Sequence, residues 1–182
     1  TLSVTDRYDP ERREYHLTLA QSLPSTPEAK AEDKHPLHIP VAMGLLGEAG
    51  ALRLNLAEEV SSDLPADNTH KVLELTQAEQ TFVFTDVPER PVPSLLRHFS
   101  APVKLSYPYS AADLLRIMTM DEDGFCRWDA AQQLGLFSIQ ENLADPQASA
   151  QALVEAYGLL LEDTQLDPAL VALMLELPSE AY

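Results

Sequence analysis

The sequence predicts a mainly β domain followed by an α domain: an immunoglobulin-like, seven-stranded β-sandwich and then an incomplete all-α helical array. Before Tyr107, apolar residues alternate with polar ones in short runs, which is the two-residue period of a strand. From Ser110 onward they recur at three- and four-residue spacing, the period of an amphipathic helix. We therefore predict a sandwich domain over residues 1–106 and the start of a helical domain over residues 107–182.

Seven short strands separated by turn residues favour the immunoglobulin-like sandwich. The cleanest of them spans residues 37–45, where an internal Pro40 predicts an edge position or a bulge. The other six strands are predicted at residues 2–8, 15–19, 52–56, 73–75, 81–85 and 103–107. Antibody domains carry a cysteine pair and a core tryptophan that this region lacks, so the predicted likeness is one of architecture.

Prolines interrupt the segment between the last two predicted strands, among them Pro88, Pro91 and Pro93. Proline fixes φ and cannot donate to a strand ladder, so we predict that Arg90–Pro93 leaves the sheet as an extended connector. Docking of this segment onto a proline-binding domain is the alternative that we weigh against it. A packed crossover between strands is the reading that we favour.

Four short helices are predicted after the sandwich, joined as antiparallel pairs by short connections. Ser110 and Asp113 have the spacing of a capping box at the start of the first helix. Asp145–Pro146 and Asp167–Pro168 each pair an N-cap residue with proline at the first helical position. Apolar residues at helical spacing follow these signals: Leu114, Leu115, Ile117 and Met118; Phe125, Trp128, Ala131 and Leu134; Leu153, Tyr157, Leu160 and Leu161; Leu170, Leu173, Met174 and Leu177.

Composition excludes several classes of function. The 182 residues carry a net charge of −17, with no Lys or Arg after Arg127, which disfavours binding to nucleic acid or to an anionic membrane surface. No apolar run approaches the length of a membrane span. The single Cys126 excludes an internal disulfide and fits a reducing compartment, so we expect a cytoplasmic protein. Because the sequence has no initiator Met, we expect it to begin inside a longer protein.

Three segments carry a family resemblance: PVPSLLRHFSAPVKL at Pro91–Leu105, HPLHIPVAMGLL at His35–Leu46 and FCRWDAAQQL at Phe125–Leu134. They resemble bacterial aminopeptidase N, a gluzincin-type zinc metallopeptidase family that removes N-terminal residues from peptides. One departure is Cys126, where the family is expected to have a more polar residue. The resemblance implies that this chain is the non-catalytic β-sandwich domain and the start of a C-terminal helical domain, which continues in that family as a superhelix.

The zinc site of such an enzyme requires His-Glu-x-x-His on a helix, where two imidazoles bind the metal and the Glu acts as general base. None of the five histidines begins this motif: His16, His35, His38, His70 and His98. The Gly-Ala-Met-Glu-Asn motif that binds the substrate amino group is also missing, since Val41-Ala42-Met43-Gly44 is only a strand. The resemblance thus implies no catalytic, substrate-binding or metal residue in this numbering. Both motifs are expected N-terminal to Thr1, and the zinc belongs to the parent protein.

Weaker candidates for chemistry have simpler structural interpretations. His35 and His38 could be half of a metal site, but we favour a solvated loop end. Asp121–Gly124 resembles the opening of a calcium loop, although an acidic helix connector fits better. Cys126, among aromatic residues, is interpreted as a buried small hydrophobe rather than a reactive thiol. Gly44–Gly50 lacks the Lys-Ser/Thr and the following helix of a phosphate loop.

Two hypotheses of different class remain. In the first, the chain is a structural section of a zinc aminopeptidase that links the catalytic domain of the same chain to the helical domain, with peptides as substrates of the parent. In the second, it is a free-standing immunoglobulin-like interaction module that presents an edge strand or an acidic face to a partner. Only the first requires His-Glu-x-x-His upstream.

Overall fold

The computed structural model describes residues 1–59, 67–144 and 151–179. The chain forms two compact units, Thr1–Pro108 and Tyr109–Tyr182. Within the described residues the first unit holds nine strands in two sheets, and the second holds four helices. The predicted fold class, a β-sandwich followed by a helical array, is confirmed, although the number of strands is not seven.

The strands are β1 (Leu2–Asp9), β2 (Glu14–Gln21), β3 (Ile39–Leu46), β4 (Ala51–Leu52), β5 (Asn55–Leu56), β6 (Lys71–Leu75), β7 (Glu79–Thr85), β8 (Val92–Leu95) and β9 (Leu105–Ser106). One sheet has the order β5-β7-β2-β1-β9, in which β9 runs parallel to β1 and the other pairs are antiparallel. The other sheet is built on β3, which pairs antiparallel with β4, β6 and β8.

The core of this unit lies between the inner faces of the two sheets. On β2, Tyr15, Leu17 and Leu19 are fully buried while the residues between them are partly exposed, as the two-residue period requires. The opposing sheet contributes fully buried side chains from β3 and β6, among them Val41, Met43, Leu45 and Leu75. Their packing into one hydrophobic cluster makes the two sheets a sandwich.

The prediction of one continuous strand at residues 52–56 is wrong, because the segment forms two short strands in different sheets. β4 pairs with β3, whereas β5 pairs with β7 in the other sheet. Leu54, which lies between them, is fully buried in the core. The chain therefore crosses from one sheet to the other within this segment, and the alternation of leucines reflects burial at the crossing.

The predicted connector at Arg90–Pro93 is also wrong in part, because β8 begins at Val92. Leu45 pairs with both Leu52 and Pro93, so β4 and β8 flank β3 on opposite sides. Within the described residues β8 pairs with β3 alone, and proline is tolerated in a strand where no second neighbour needs its N–H. Pro91, Val92 and Pro93 are buried, as a packed segment requires.

β3 is shorter than predicted, since it begins at Ile39 and Leu37 is 53% exposed. Among the residues that the structure describes, Pro40 pairs with Glu74 of β6 alone, because β8 reaches no further along β3 than Met43. The prediction that Pro40 lies at a sheet edge is therefore confirmed for the first residues of β3, where β8 does not reach. The last predicted strand is reduced to the two residues of β9.

The helices are α1 (Ala111–Met120), α2 (Gly124–Ala144), α3 (Gln151–Glu162) and α4 (Pro168–Met174). The capping box at Ser110 and Asp113 is present, since each side chain accepts a hydrogen bond from the other residue's backbone N–H. Asp167 caps α4 by accepting from the N–H of Ala169 at 2.8 Å. The predicted start at Asp145–Pro146 lies outside the described residues.

The prediction of four short helices fails for α2, which has 21 residues. Three of the predicted core positions are wrong as well. Leu161 is 67% exposed on α3, Leu173 is 50% exposed on α4, and Leu177 is 59% exposed beyond the end of α4. Leu160 and Met174 are buried as predicted.

Candidate functional site

The two histidines singled out by sequence do not form a metal site with a third ligand. His38 Nε2 lies 3.4 Å from Glu74 Oε2 on β6, and the His38 side chain is largely exposed. His35 is exposed in the loop before β3. Within residues 1–59, 67–144 and 151–179, no three His, Cys, Asp or Glu side chains are grouped so that they could hold a metal ion.

Asp121 and Asp123 lie in the connection between α1 and α2, where both are buried. An oxygen of Asp121 accepts from the N–H of Asp123 at 3.0 Å, and Asp123 accepts from the N–H of Cys126 at 2.8 Å. These carboxylates therefore satisfy backbone donors at the start of α2, where negative charge is favoured. The interpretation as a helix connector agrees with this geometry.

Arg127 is a buried cation that the sequence reading did not single out. Its Nη1 donates to the carbonyl of Asp121 at 3.2 Å, and its Nη2 lies 3.9 Å from the Asp163 carboxylate. Burial lowers the pKa of the Arg127 guanidinium, and the charges of Asp163 and Asp121 oppose that shift. The side chain joins the end of α1 to the residues after α3, so its role is to hold the helical unit together. Cys126, beside it, is buried as expected for a small hydrophobe.

A second polar cluster is formed by Asp6, Arg90 and Tyr107 in the sandwich unit. Tyr107 Oη donates to Asp6 Oδ1 at 2.9 Å, and Arg90 Nη2 donates to Asp6 Oδ2 at 3.0 Å. Burial raises the pKa of the Tyr107 hydroxyl, and its hydrogen bond to the Asp6 carboxylate and that charge raise it further. A phenol held protonated in this way is a structural donor rather than a proton-transfer group.

Residues 96–99, directly after β8, have an unusual backbone conformation. Leu96, His98 and Phe99 have φ values of 59°, 56° and 52°, which is the left-handed region that such side chains rarely adopt. We call this segment the left-handed turn. A non-glycine residue in this region costs energy, and such positions persist only where the surroundings fix them.

The left-handed turn is held in place by the contacts of Arg97, whose side chain is only 2% exposed. Its Nε donates to Ser94 Oγ at 3.0 Å, and its Nη1 donates to the carbonyl of Thr69 at 3.4 Å. The guanidinium fills the space above Gly44 of β3. Next to this anchor, the rings of His70 and His98 lie with their centroids 5.8 Å apart. Sequence reasoning missed this cluster, since nothing in SLLRHFS marks a left-handed turn.

An apolar groove of about 430 Å³ lies on the helical unit, lined by Ser138, Ile139, Asn142, Leu143, Leu153 and Leu177. It contains no ionisable side chain. The glycines at Gly47 and Gly50 close the turn between β3 and β4 with a 2.8 Å backbone hydrogen bond, which is a hairpin and not a phosphate loop. None of the described helices has the length and apolar character needed to cross a membrane.

Comparison with known proteins relates both units to described families. Residues 1–108 match the family described as a domain of unknown function, DUF3458, with an Ig-like fold. Residues 111–182 match the family DUF3458_C, described as ARM repeats. The two matches meet where the period of the sequence changes from that of strands to that of helices.

The chain is also similar to named enzymes over nearly its whole length. Aminopeptidase N of Escherichia coli is 40% identical over 183 residues, covering 98% of this chain and 20% of the relative. Aminopeptidase N of Haemophilus influenzae is 34% identical with the same two coverages. A crystal structure of Legionella pneumophila aminopeptidase A in complex with aspartic acid matches 98% of this chain and 18% of that one, at 30% identity and a TM-score of 0.75. The chain thus spans about a fifth of the length of the curated relatives it matches, and the resemblance carried by the three sequence segments is confirmed.

Proposed function

The chain belongs to the DUF3458 family of Ig-like domains, and because bacterial aminopeptidase N matches 98% of it, we propose that it is a non-catalytic structural section of a zinc-dependent aminopeptidase. In this proposal the parent enzyme removes N-terminal residues from peptides. The sandwich links the catalytic domain to the helical domain, and the helices help to wall the chamber that limits access to the zinc.

One observation carries the proposal: the identity to aminopeptidase N runs through the sandwich and the helices alike, yet accounts for 20% of that relative's length. The similarity therefore concerns one section of a much longer enzyme. A free-standing interaction module would have no physical reason to keep both units, in the same order, at 40% identity to that section.

The described side chains do not fit a zinc centre, so they supply no catalytic step. Zinc ligation in this class of enzyme takes two histidines on one helical face and a Glu. The sequence has no His-Glu-x-x-His, and all five histidines precede the first helix. In the proposed parent, the metal and the general base are supplied by another section of the chain.

In this proposal the sandwich instead keeps the catalytic domain and the helical domain at a fixed distance. Buried side chains from both sheets fill the sandwich, and the Tyr107–Asp6–Arg90 cluster joins β1 to the segment that follows β9. A well-packed core changes shape little under load because its interior is close-packed. A rigid spacer of this kind is suited to holding a catalytic domain and a helical domain at a constant separation.

Reconstitution in two pieces tests this proposal. The product of the whole gene and the same product lacking residues 1–182 of this chain would be purified and assayed with an aminoacyl-arylamide. We expect the deletion to abolish or sharply reduce turnover while leaving zinc bound to the remainder. Adding this chain in trans should restore part of the activity. A whole gene product without His-Glu-x-x-His, or a deletion that leaves turnover unchanged, would favour the interaction module.

A further inference from the structure

We propose that residues 103–107, which lead out of the sandwich unit, form a releasable strap that the hydrogen bond from Tyr107 to Asp6 holds closed. When the strap opens, β9 leaves the sheet and the backbone connection to the helical unit becomes longer. This device deepens the proposed spacer role, and its use in the parent enzyme rests on that role. The strap lies next to the boundary between the two compact units, because the first unit ends at Pro108.

The backbone pairing of the strap is short. Strand β9 has two residues and pairs with β1 alone among the described strands. The Leu2 N–H donates to the carbonyl of Lys104 at 2.8 Å. Pro102 and Pro108 flank the strap, and neither has an N–H that could donate to a longer ladder. A short edge element of this kind belongs to the least stable part of a fold and opens locally.

The side chains of the strap alternate between the core and the surface. Val103, Leu105 and Tyr107 are partly buried against the sandwich core, whereas Lys104 and Ser106 are exposed. Because none of the three inward side chains is fully buried, the strap lies at the margin of the core. Opening it exposes little apolar surface, so the strap opens at a lower cost than the sandwich unfolds.

The last residue of the strap is held by a buried carboxylate. The Asp6 side chain is only 9% exposed, and it accepts from Tyr107 Oη at 2.9 Å and from Arg90 Nη2 at 3.0 Å. A carboxylate at this depth requires hydrogen-bond donors, because the loss of its water is costly. The Arg90 side chain is 63% exposed, so water screens its charge. Tyr107 is the partly buried donor, and its bond to Asp6 therefore does most to keep the strap closed.

Opening the strap changes the length of the backbone connection between the two units. With the strap closed, Pro108 and Tyr109 separate its last residue from Ser110, the N-cap of α1. With the strap open, residues 103–109 all belong to the connection, and at about 3.3–3.6 Å per residue they span up to about 25 Å. A closed strap thus gives the short connection that a rigid spacer needs, and an open strap gives a longer and more flexible one.

Amide hydrogen exchange of the 182-residue chain, followed by NMR, tests the proposal with Tyr107→Phe, which removes the hydroxyl and keeps the ring. We expect the amides of β9 and of Leu2 to exchange at least about tenfold faster, while the slow amides of β2 and β3 are unchanged. The matched control is Tyr8→Phe on β1, whose hydroxyl donates to the carbonyl of Val87 at 3.1 Å. Unchanged exchange in Tyr107→Phe would overturn the proposal, as would equal acceleration throughout the sandwich or the same opening of β9 in the control.

A second variant, Arg90→Gln, separates the two donors to Asp6. Because Arg90 is largely exposed, its loss should accelerate exchange of the β9 amides by less than about fivefold. If Arg90→Gln opens β9 as much as Tyr107→Phe does, the ion pair holds the strap and the proposal is wrong. These measurements use this chain alone, so their failure leaves the proposed role in the parent enzyme standing. That role is tested separately by the activity of the whole gene product.

Discussion

The guanidinium of Arg97 occupies the space in which a side chain on Gly44 would lie. A methyl group built on Gly44 meets Cζ and both Nη atoms of that guanidinium at less than ordinary contact distance. Arg97 cannot move aside freely, because it is buried and donates to Ser94 and Thr69. A glycine in β3 and an arginine just beyond β8 are thus complementary across the sheet, and the left-handed turn is built on their contact.

We predict that Gly44→Ala destabilises the sandwich by about 1–3 kcal/mol, the usual cost of overpacking a filled core. The added methyl must displace the guanidinium and weaken its hydrogen bonds. Urea denaturation followed by tyrosine fluorescence or circular dichroism measures the change. Gly158→Ala on α3 is the matched control, since nothing lies within 4 Å of its added methyl. It should stabilise the helical unit by about 0.5–1 kcal/mol. A neutral Gly44→Ala would show that Arg97 relaxes at no cost.

Two adjacent leucines on α3 provide the next prediction. Leu160 is 1% exposed and Leu161 is 67% exposed, although both fit a helical apolar pattern. Leu160→Ala should cost about 2–5 kcal/mol through lost burial and a cavity. Leu161→Ala should change stability by less than about 0.5 kcal/mol. Thermal denaturation of the two variants compares them directly, and similar losses would mean that the face of α3 has been misassigned.

The capping box gives a third prediction. Ser110→Ala removes the side chain that accepts from the N–H of Asp113 at 3.2 Å, and should destabilise α1 by about 0.5–2 kcal/mol. Ser110→Asn retains a capping oxygen and should cost much less. Hydrogen exchange of the amides in α1 is the measurement. Unchanged exchange in Ser110→Ala would show that α1 is held by its packing alone.

A fourth prediction concerns the independence of the two units. We expect residues 1–108 to fold without the helices, because the strands and the sandwich core are contained within them. Residues 105 and 106 must be kept, since β9 pairs with β1. Limited proteolysis of the whole chain should cut within residues 58–69 or near 107–110 and spare the strands. Dispersed amide signals from the shortened chain would support the prediction, and an unfolded remainder would mean that the two parts share one core.

Much of the sandwich is predictable from sequence because burial on one side of a sheet forces a two-residue period. β2 is the clearest case, with its apolar residues on one face and its polar residues on the other. The capping signals at Ser110 and Asp167 are equally local, since each requires only side chains within three residues. These features were predicted correctly for that reason.

The sequence-based predictions are wrong where the structure of a segment depends on residues that are distant in the sequence. Pro93 argues against a strand only if both sides of the strand are paired, and β8 pairs with β3 alone among the described residues. Leu54 alternates with Leu52 and Leu56, yet the chain changes sheets at that point. On α3, three consecutive leucines at positions 159–161 leave the buried face undetermined by sequence.

The Arg97 cluster could not have been predicted by the same means. Leucine and phenylalanine rarely adopt positive φ, and one histidine between them is too weak a signal to predict a left-handed turn. His70 and His98 meet only because the segment before β6 lies beside the segment after β8. The absence of His-Glu-x-x-His, in contrast, was visible in the sequence from the outset.

The most direct test of the account is an aminopeptidase assay combined with zinc analysis on this chain and on the whole product of its gene. After dialysis against buffer, we predict that the isolated chain retains no stoichiometric zinc and does not hydrolyse aminoacyl-arylamides. The whole product should retain zinc and show chelator-sensitive hydrolysis. Chelator-sensitive turnover by the isolated chain would contradict its assignment as a non-catalytic section.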